Sequence, residues 1–163
     1  MSLTRIHLHW TAGGYTASDL DRSHYHFIID GKGQEVKGKL PPEANLNTQD
    51  GEYVAHTLGA NTGAIGISMC CMAGAQERPF KWGAAPMTSE QVMALCRLAA
   101  RLAKQYGIPC TRKTILTHAE VQPTLGIKQK GKWDITVLPG MSAPGDPIEV
   151  GDRLRKIIGD LMK

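Results

Sequence analysis

From Thr4 to His9 polar and apolar residues alternate, with Ile6 and Leu8 on one face and Arg5, His7 and His9 on the other. A period of two is that of a strand with one buried face. The run breaks at Thr11-Ala12-Gly13-Gly14, so His9 stands at a strand end. The aromatic and β-branched stretch His24–Ile29 predicts a second strand, with Tyr25, Phe27 and Ile29 on one face and His24, His26 and Ile28 on the other. Asp30-Gly31-Lys32-Gly33 then reads as a turn and Gln34–Lys37 as the returning arm of a β-hairpin. Ala64–Met72, AIGISMCCM, is a nearly unbroken apolar run, as expected of a central strand buried on both faces. Residues 113–117 predict a further strand that delivers His118 to its end.

Helical spacing marks two segments. Thr88-Ser89-Glu90-Gln91 has the capping-box form, Val92, Leu95, Cys96, Ala99, Leu102, Ala103 and Tyr106 follow on one face, and Gly107 with Pro109 ends the helix. Near the C-terminus, Asp146 is an N-cap followed by proline, and Val150, Leu154, Ile157, Ile158 and Leu161 form an apolar stripe. A short helical turn is expected around 18–22, a short extended piece at 53–56, and surface loops at 40–51 and 59–63.

Composition adds limits. The 163 residues suit a single domain with its own core, and neither repeats nor low-complexity tails occur. No apolar run approaches the roughly 20 residues of a membrane span, and the N-terminal stretch lacks a secretory h-region, so synthesis in the cytoplasm without a signal peptide is expected. The net charge of +4 suits an anionic partner or serves solubility alone. Cys70, Cys71, Cys96 and Cys110 lack zinc-site spacing, and their apolar contexts favour buried, reduced thiols.

The candidate chemistry centres on Thr117–Asp134. Its middle is mostly glycine, lysine, glutamine and proline, a composition for looping over a site, with His118 at one end and Lys132-Trp133-Asp134 at the other. With His9 it offers two imidazoles and a carboxylate, the ligand set of a zinc site with a position open to water. These groups meet only if the sheet brings them together. Lys132 and Tyr25 are candidate donors to an oxyanion.

In order along the chain, HWTAG at His9, YHFIIDGKGQEVKG from Tyr25, AHTLGANTGAIGI from Ala55, MTSEQ, THAEV at His118 and KWD at Asp134 resemble zinc-dependent N-acetylmuramoyl-L-alanine amidases. The likeness is to the branch of phage endolysins, muropeptide amidases and peptidoglycan-recognition proteins, and it covers almost the whole chain. It implies an α/β fold, a central mixed β-sheet flanked by α-helices in a single domain; in so short a chain no separate wall-binding domain is expected. It also implies one Zn2+ per chain on His9, His118 and Asp134, with Asp146 the competing acid, and catalytic roles for Tyr25 and Lys132. His56 is placed beside the site to orient a ligand or touch substrate, and Glu120 to hydrogen-bond a ligand histidine. The glutamate that serves as base in another branch is replaced by Ser68, and the LGIKQKGK segment lengthens the loop between His118 and Lys132.

The implied function is hydrolysis of the amide between N-acetylmuramic acid and L-alanine of peptidoglycan by a monomeric phage or prophage endolysin. Neither a nucleic-acid partner nor membrane insertion is expected, and the protein would act on the cell wall after release. The alternatives are a non-catalytic peptidoglycan-binding module, which should have lost a metal ligand, and a regulatory protein that binds a host macromolecule.

Overall fold

The computed structural model describes residues 2–163. The N-terminal alternation forms β1 (Arg5–Trp10), followed by α1 (Asp19–His24), β2 (Phe27–Ile29), β3 (Glu35–Lys37), a 3-10 turn (Pro42–Leu46) and β4 (Ala64–Met69). Then come α2 (Ser89–Tyr106), β5 (Ile115–Thr117), α3 (His118–Leu125) and α4 (Pro147–Leu161). The strands form one sheet in the order β3-β2-β4-β1-β5. β1 runs parallel to β4 and β5, and β2 runs parallel to β4; only the hairpin partner β3 is antiparallel. The expected mixed sheet with flanking helices is present, and Ala64–Met69 is its middle strand.

The two faces of the sheet are built differently. Ile6, Leu8 and Trp10 on β1 and Ile65, Ile67 and Met69 on β4 join the apolar stripes of α2 and α4 in the main core. The opposite face carries His7 and His9 on β1 and the small residues Gly66 and Ser68 on β4. It is not open to solvent, as one-sided burial of β1 would have it, because His7 and His9 are both fully buried. The reason is the interior place of β1 in the sheet, between β4 and β5, together with the 56–57 segment, whose Thr57 hydroxyl lies 3.0 Å from His7 Nδ1. Gly66 makes the room: a Cβ there would run into the His56 ring.

The helices start and stop where the chain signals. Thr88 and Gln91 cap each other at the start of α2, both at 3.1 Å, and Gly107 ends it at φ +67°. Gln91 also donates to the Cys70 carbonyl at 2.8 Å, fixing α2 to the end of β4. Asp146 accepts from the backbone N–H groups of Ile148 and Glu149 and caps α4. In the hairpin, Asp30 Oδ1 accepts from the N–H groups of Lys32 and Gln34, both at 2.9 Å. All four cysteines are free thiols, three of them buried.

Four expectations are corrected. His24 closes α1 and Tyr25 caps it, so β2 spans only Phe27–Ile29: the Ser18–Asp21 capping box commits the preceding residues to a helix. Residues 53–56 form no strand, because Val54 and His56 take their backbone partners from the Asn45 and Asn61 side chains. The 40–51 loop contains the 3-10 turn. Finally, Thr117–Asp134 is not a continuous loop, since most of its first half is α3, closed by Gly126 at φ +74°. Among the described residues no helix is long and apolar enough to cross a membrane.

Candidate metal centre and cleft

β1 and β5 are parallel neighbours, so His9 near the end of β1 and His118 just after β5 lie at the same, carboxyl-terminal edge of the sheet, where open α/β sheets commonly bind ligands. Asp134 reaches them from the following loop. Its backbone carbonyl accepts from the Ala119 N–H at 2.6 Å, and the Trp10 N–H lies 3.4 Å from its Oδ2. Trp133 stacks edge-on against Trp10 with ring centroids 4.7 Å apart, and Phe80 extends that aromatic wall. The KWD segment is thus fixed by packing on one side and by the first turn of α3 on the other.

Two imidazole nitrogens and a carboxylate converge. His9 Nδ1 lies 3.1 Å from His118 Nδ1 and 3.3 Å from Asp134 Oδ2, and His118 Nδ1 lies 3.5 Å from Asp134 Oδ1. A tetrahedral zinc with bonds of about 2.0–2.1 Å needs ligand atoms about 3.3 Å apart. The donor set and its spacing therefore fit zinc, and all three residues are buried.

Hydrogen bonds on the far side of each ring leave these Nδ1 lone pairs free. His56 Nε2–H donates to the Ala64 carbonyl at 3.1 Å, which makes its Nδ1 an acceptor for His9 Nε2–H at 3.2 Å. A second chain ends at the same lone pair, which it shares with His9: Arg5 Nε–H donates to His7 Nε2 at 3.2 Å, His7 Nδ1–H to Thr57 Oγ1 at 3.0 Å, and the Thr57 hydroxyl lies 2.8 Å from His56 Nδ1. Across the site, His118 Nε2–H donates to Gln129 Oε1 at 2.7 Å. Partners of this kind orient metal-ligating imidazoles.

The charge states agree with this arrangement. Burial lowers the His9 pKa to about 4 against the opposing pull of Asp134, and holds His7 and His56 well below the ordinary imidazole value. Burial by itself would raise the Asp134 carboxyl, but hydrogen bonds and charge from His118 and His9 outweigh it and hold it low. The Tyr25 phenol is pushed strongly up by burial and by the Asp134 charge, so it keeps its proton.

A cleft of about 770 Å³ opens above the three donors, lined among others by Tyr25, His56, Lys132 and Trp133. The Tyr25 ring lies 5.2 Å from that of His9 although it leaves a helix and not a strand. Lys132 is exposed in the cleft, and its charge is felt at His9. Ser68, opposite His9 in register, is fully buried and brings a hydroxyl, not a carboxylate, beneath Tyr25. Asp146 remains a helix cap.

Glu120 does not bond a ligand histidine. Its carboxylate is taken up by Arg155 of α4, at 3.0 and 2.7 Å, and by the Thr117 N–H at 3.0 Å, since two residues along a helix turn a side chain by about 200° from His118. Sequence reasoning missed Thr57 and Gln129. Nothing in their local pattern marks them, although Thr57 directly follows the His56 that was singled out.

The family model Amidase_2, described as N-acetylmuramoyl-L-alanine amidase, matches residues 1–140. No curated protein sequence matches. Among solved structures, AmiD from E. coli, in complex with anhydro-N-acetylmuramic acid-L-Ala-D-gamma-Glu-L-Lys, aligns with a TM-score of 0.56 at 18% identity over 82% of this chain; the chain spans only 52% of that protein. PlyL, as an E90A mutant, aligns with a TM-score of 0.56 at 17% identity over 99% of this chain and 85% of PlyL. The endolysin of Thermus scotoductus bacteriophage Ph2119 gives 0.51 at 19% identity over 76% of each chain. At such identities the structural likeness speaks for the fold, while the family match runs through β1, β5 and Asp134 and so takes in all three converging donors. On that match the chain belongs to the N-acetylmuramoyl-L-alanine amidase family.

Proposed function

We propose that the protein hydrolyses the amide between the lactyl carbonyl of N-acetylmuramic acid and L-alanine of peptidoglycan, with one zinc held by His9, His118 and Asp134, as a phage or prophage endolysin. The observation that carries the reading is the convergence of two imidazole Nδ1 atoms and a carboxylate, 3.1–3.5 Å apart, at the floor of the cleft in a member of this family. When bound, zinc supplies Lewis-acid polarisation of the carbonyl and brings the pKa of a water toward neutrality.

The chain supplies the rest. Lys132 projects from the rim of the cleft and offers an ammonium to the oxygen that gains charge when water attacks the carbonyl carbon. Tyr25, held protonated beside His9, donates a hydrogen bond and positions the reacting groups. Ser68 gives no carboxylate base at the sheet edge, which favours this tyrosine-lysine arrangement. The new carbon–oxygen bond replaces the carbon–nitrogen bond, the alanine nitrogen leaves with a proton, and the products are a lactyl carboxylate and a stem peptide with a free amino terminus. The endolysin role follows the sequence resemblance.

Protein loaded with zinc and freed of excess metal should carry about one zinc per chain and cleave muropeptide. His118→Ala should lose both. Full retention of either by that variant contradicts the proposal.

A further inference from the structure

The stretch between α3 and Lys132 is lysine-rich and exposed at Lys128 and Lys130, yet Gln129 between them is only 3% exposed. Its amide is used at both ends. Oε1 accepts from His118 Nε2–H at 2.7 Å, and Nε2 donates to the Leu58 carbonyl at 2.7 Å. The second bond sets which way the amide faces, because a carbonyl can only accept; the oxygen must then meet His118. The Gln129 backbone is pinned as well, its N–H donating to Gln122 Oε1 at 3.0 Å from within α3. Beyond it, Lys130 and Gly131 both take left-handed backbone conformations, φ +56° and +75°, and the Gln129 carbonyl accepts from the Lys132 N–H at 3.3 Å. That turn carries Lys132 to the rim.

We propose that Gln129 is a positioning residue that joins three parts of the site: it holds the His118 ring with Nδ1 directed at the metal, ties the turn bearing Lys132 to α3, and fastens the Leu58 rim across the cleft. The inference rests on His9, His118 and Asp134 being the zinc ligands. The two arms of the amide separate chemically. A leucine at this position removes both bonds and leaves His118 Nε2–H and the Leu58 carbonyl without partners. A glutamate keeps an acceptor for His118 and removes only the donor to Leu58.

The experiment measures zinc affinity by competition with a chromophoric chelator, together with KM and kcat on muropeptide, for wild type, Gln129→Leu, Gln129→Glu and His118→Ala. Gln129→Leu should bind zinc about 10–100-fold more weakly than wild type. Gln129→Glu should stay within a few-fold in zinc affinity while KM rises, since the rim alone is released. Unchanged zinc affinity in folded Gln129→Leu, or an equal loss in both variants, overturns the proposal. Imidazole nitrogen shifts of the wild-type protein give a readout that needs no variant. His118 should carry its proton on Nε2 with or without zinc, and a proton on Nδ1 in the metal-free protein overturns the proposal. Wild type that binds no zinc refutes the zinc reading instead, and the metal-free imidazole spectrum still decides the role of Gln129.

Discussion

Arg155 of α4 grips Glu120 of α3 with both terminal guanidinium nitrogens, at 3.0 and 2.7 Å, two residues beyond His118. The same guanidinium bonds the Ile115 carbonyl of β5, so the last helix clamps the junction that presents the ligand. Gly151 lets α4 come this close, because a Cβ there would meet the Glu120 carboxylate. Removing one partner strands a buried charge, at a cost of about 3–5 kcal/mol. Arg155→Leu should therefore lose that much stability in urea unfolding of the metal-free protein. A variant as stable as wild type would show that the clamp is idle.

Gly66→Ala tests the space under His56. The added methyl group collides with a buried ring that supports His9, so overpacking should cost about 1–3 kcal/mol and lower the melting temperature. An unchanged melting curve would mean that the ring is free to move aside.

His26 gives the protein an acid limit. Gly66 N–H donates to its Nδ1 at 2.9 Å and its Nε2 faces Asn45 Oδ1 at 3.0 Å, so the neutral ring is the bonded form; burial lowers its pKa to about 4. Because the unfolded chain binds this proton more tightly, the His26 share of the stability is complete above about pH 6.5 and drains away as pH falls toward 4, by about 3 kcal/mol, in addition to the shares of the other buried imidazoles His7, His9 and His56. Urea unfolding between pH 7 and pH 4.5 should show this slope, and His26→Gln, whose amide can replace both bonds, should show it reduced by one proton. Equal slopes in the two proteins would remove His26 from the account.

Lys132→Ala should lower kcat about 100- to 1,000-fold, as does removal of an oxyanion donor, with zinc content unchanged. Tyr25→Phe, which deletes one hydrogen bond, should cost about tenfold. Steady-state rates on a soluble muropeptide, paired with metal analysis, check both. Loss of zinc in either variant would move that residue from the chemistry to the scaffold.

The site was legible in the chain to the extent that strand ends and caps are. The alternation at Arg5–His9 and the β-run before His118 put both imidazoles at strand termini, and the Asp146-Pro147 cap removed the rival acid. What stayed hidden was the conformation of residues 118–125. Gln122, Pro123 and Gly126 suggest a loop, although the Thr117-x-x-Glu120 spacing is that of a helix start, and Pro123 is tolerated inside α3. The partner of Glu120 is not readable from its neighbours, because Arg155 lies 35 residues away on another helix. Gln129 was illegible for a related reason: its burial depends on the carbonyl of Leu58, 71 residues upstream. Short-range pattern carries no record of such pairings.

An amidase of this kind is defined by the bond that it cuts. Mass spectrometry of purified peptidoglycan digested with the zinc-loaded protein should find intact glycan strands with free lactyl carboxylates and stem peptides that begin with a free L-alanine amine. Glycan fragments, cleavage within the stem peptide, or an undigested substrate in the presence of protein carrying one zinc per chain would contradict the account.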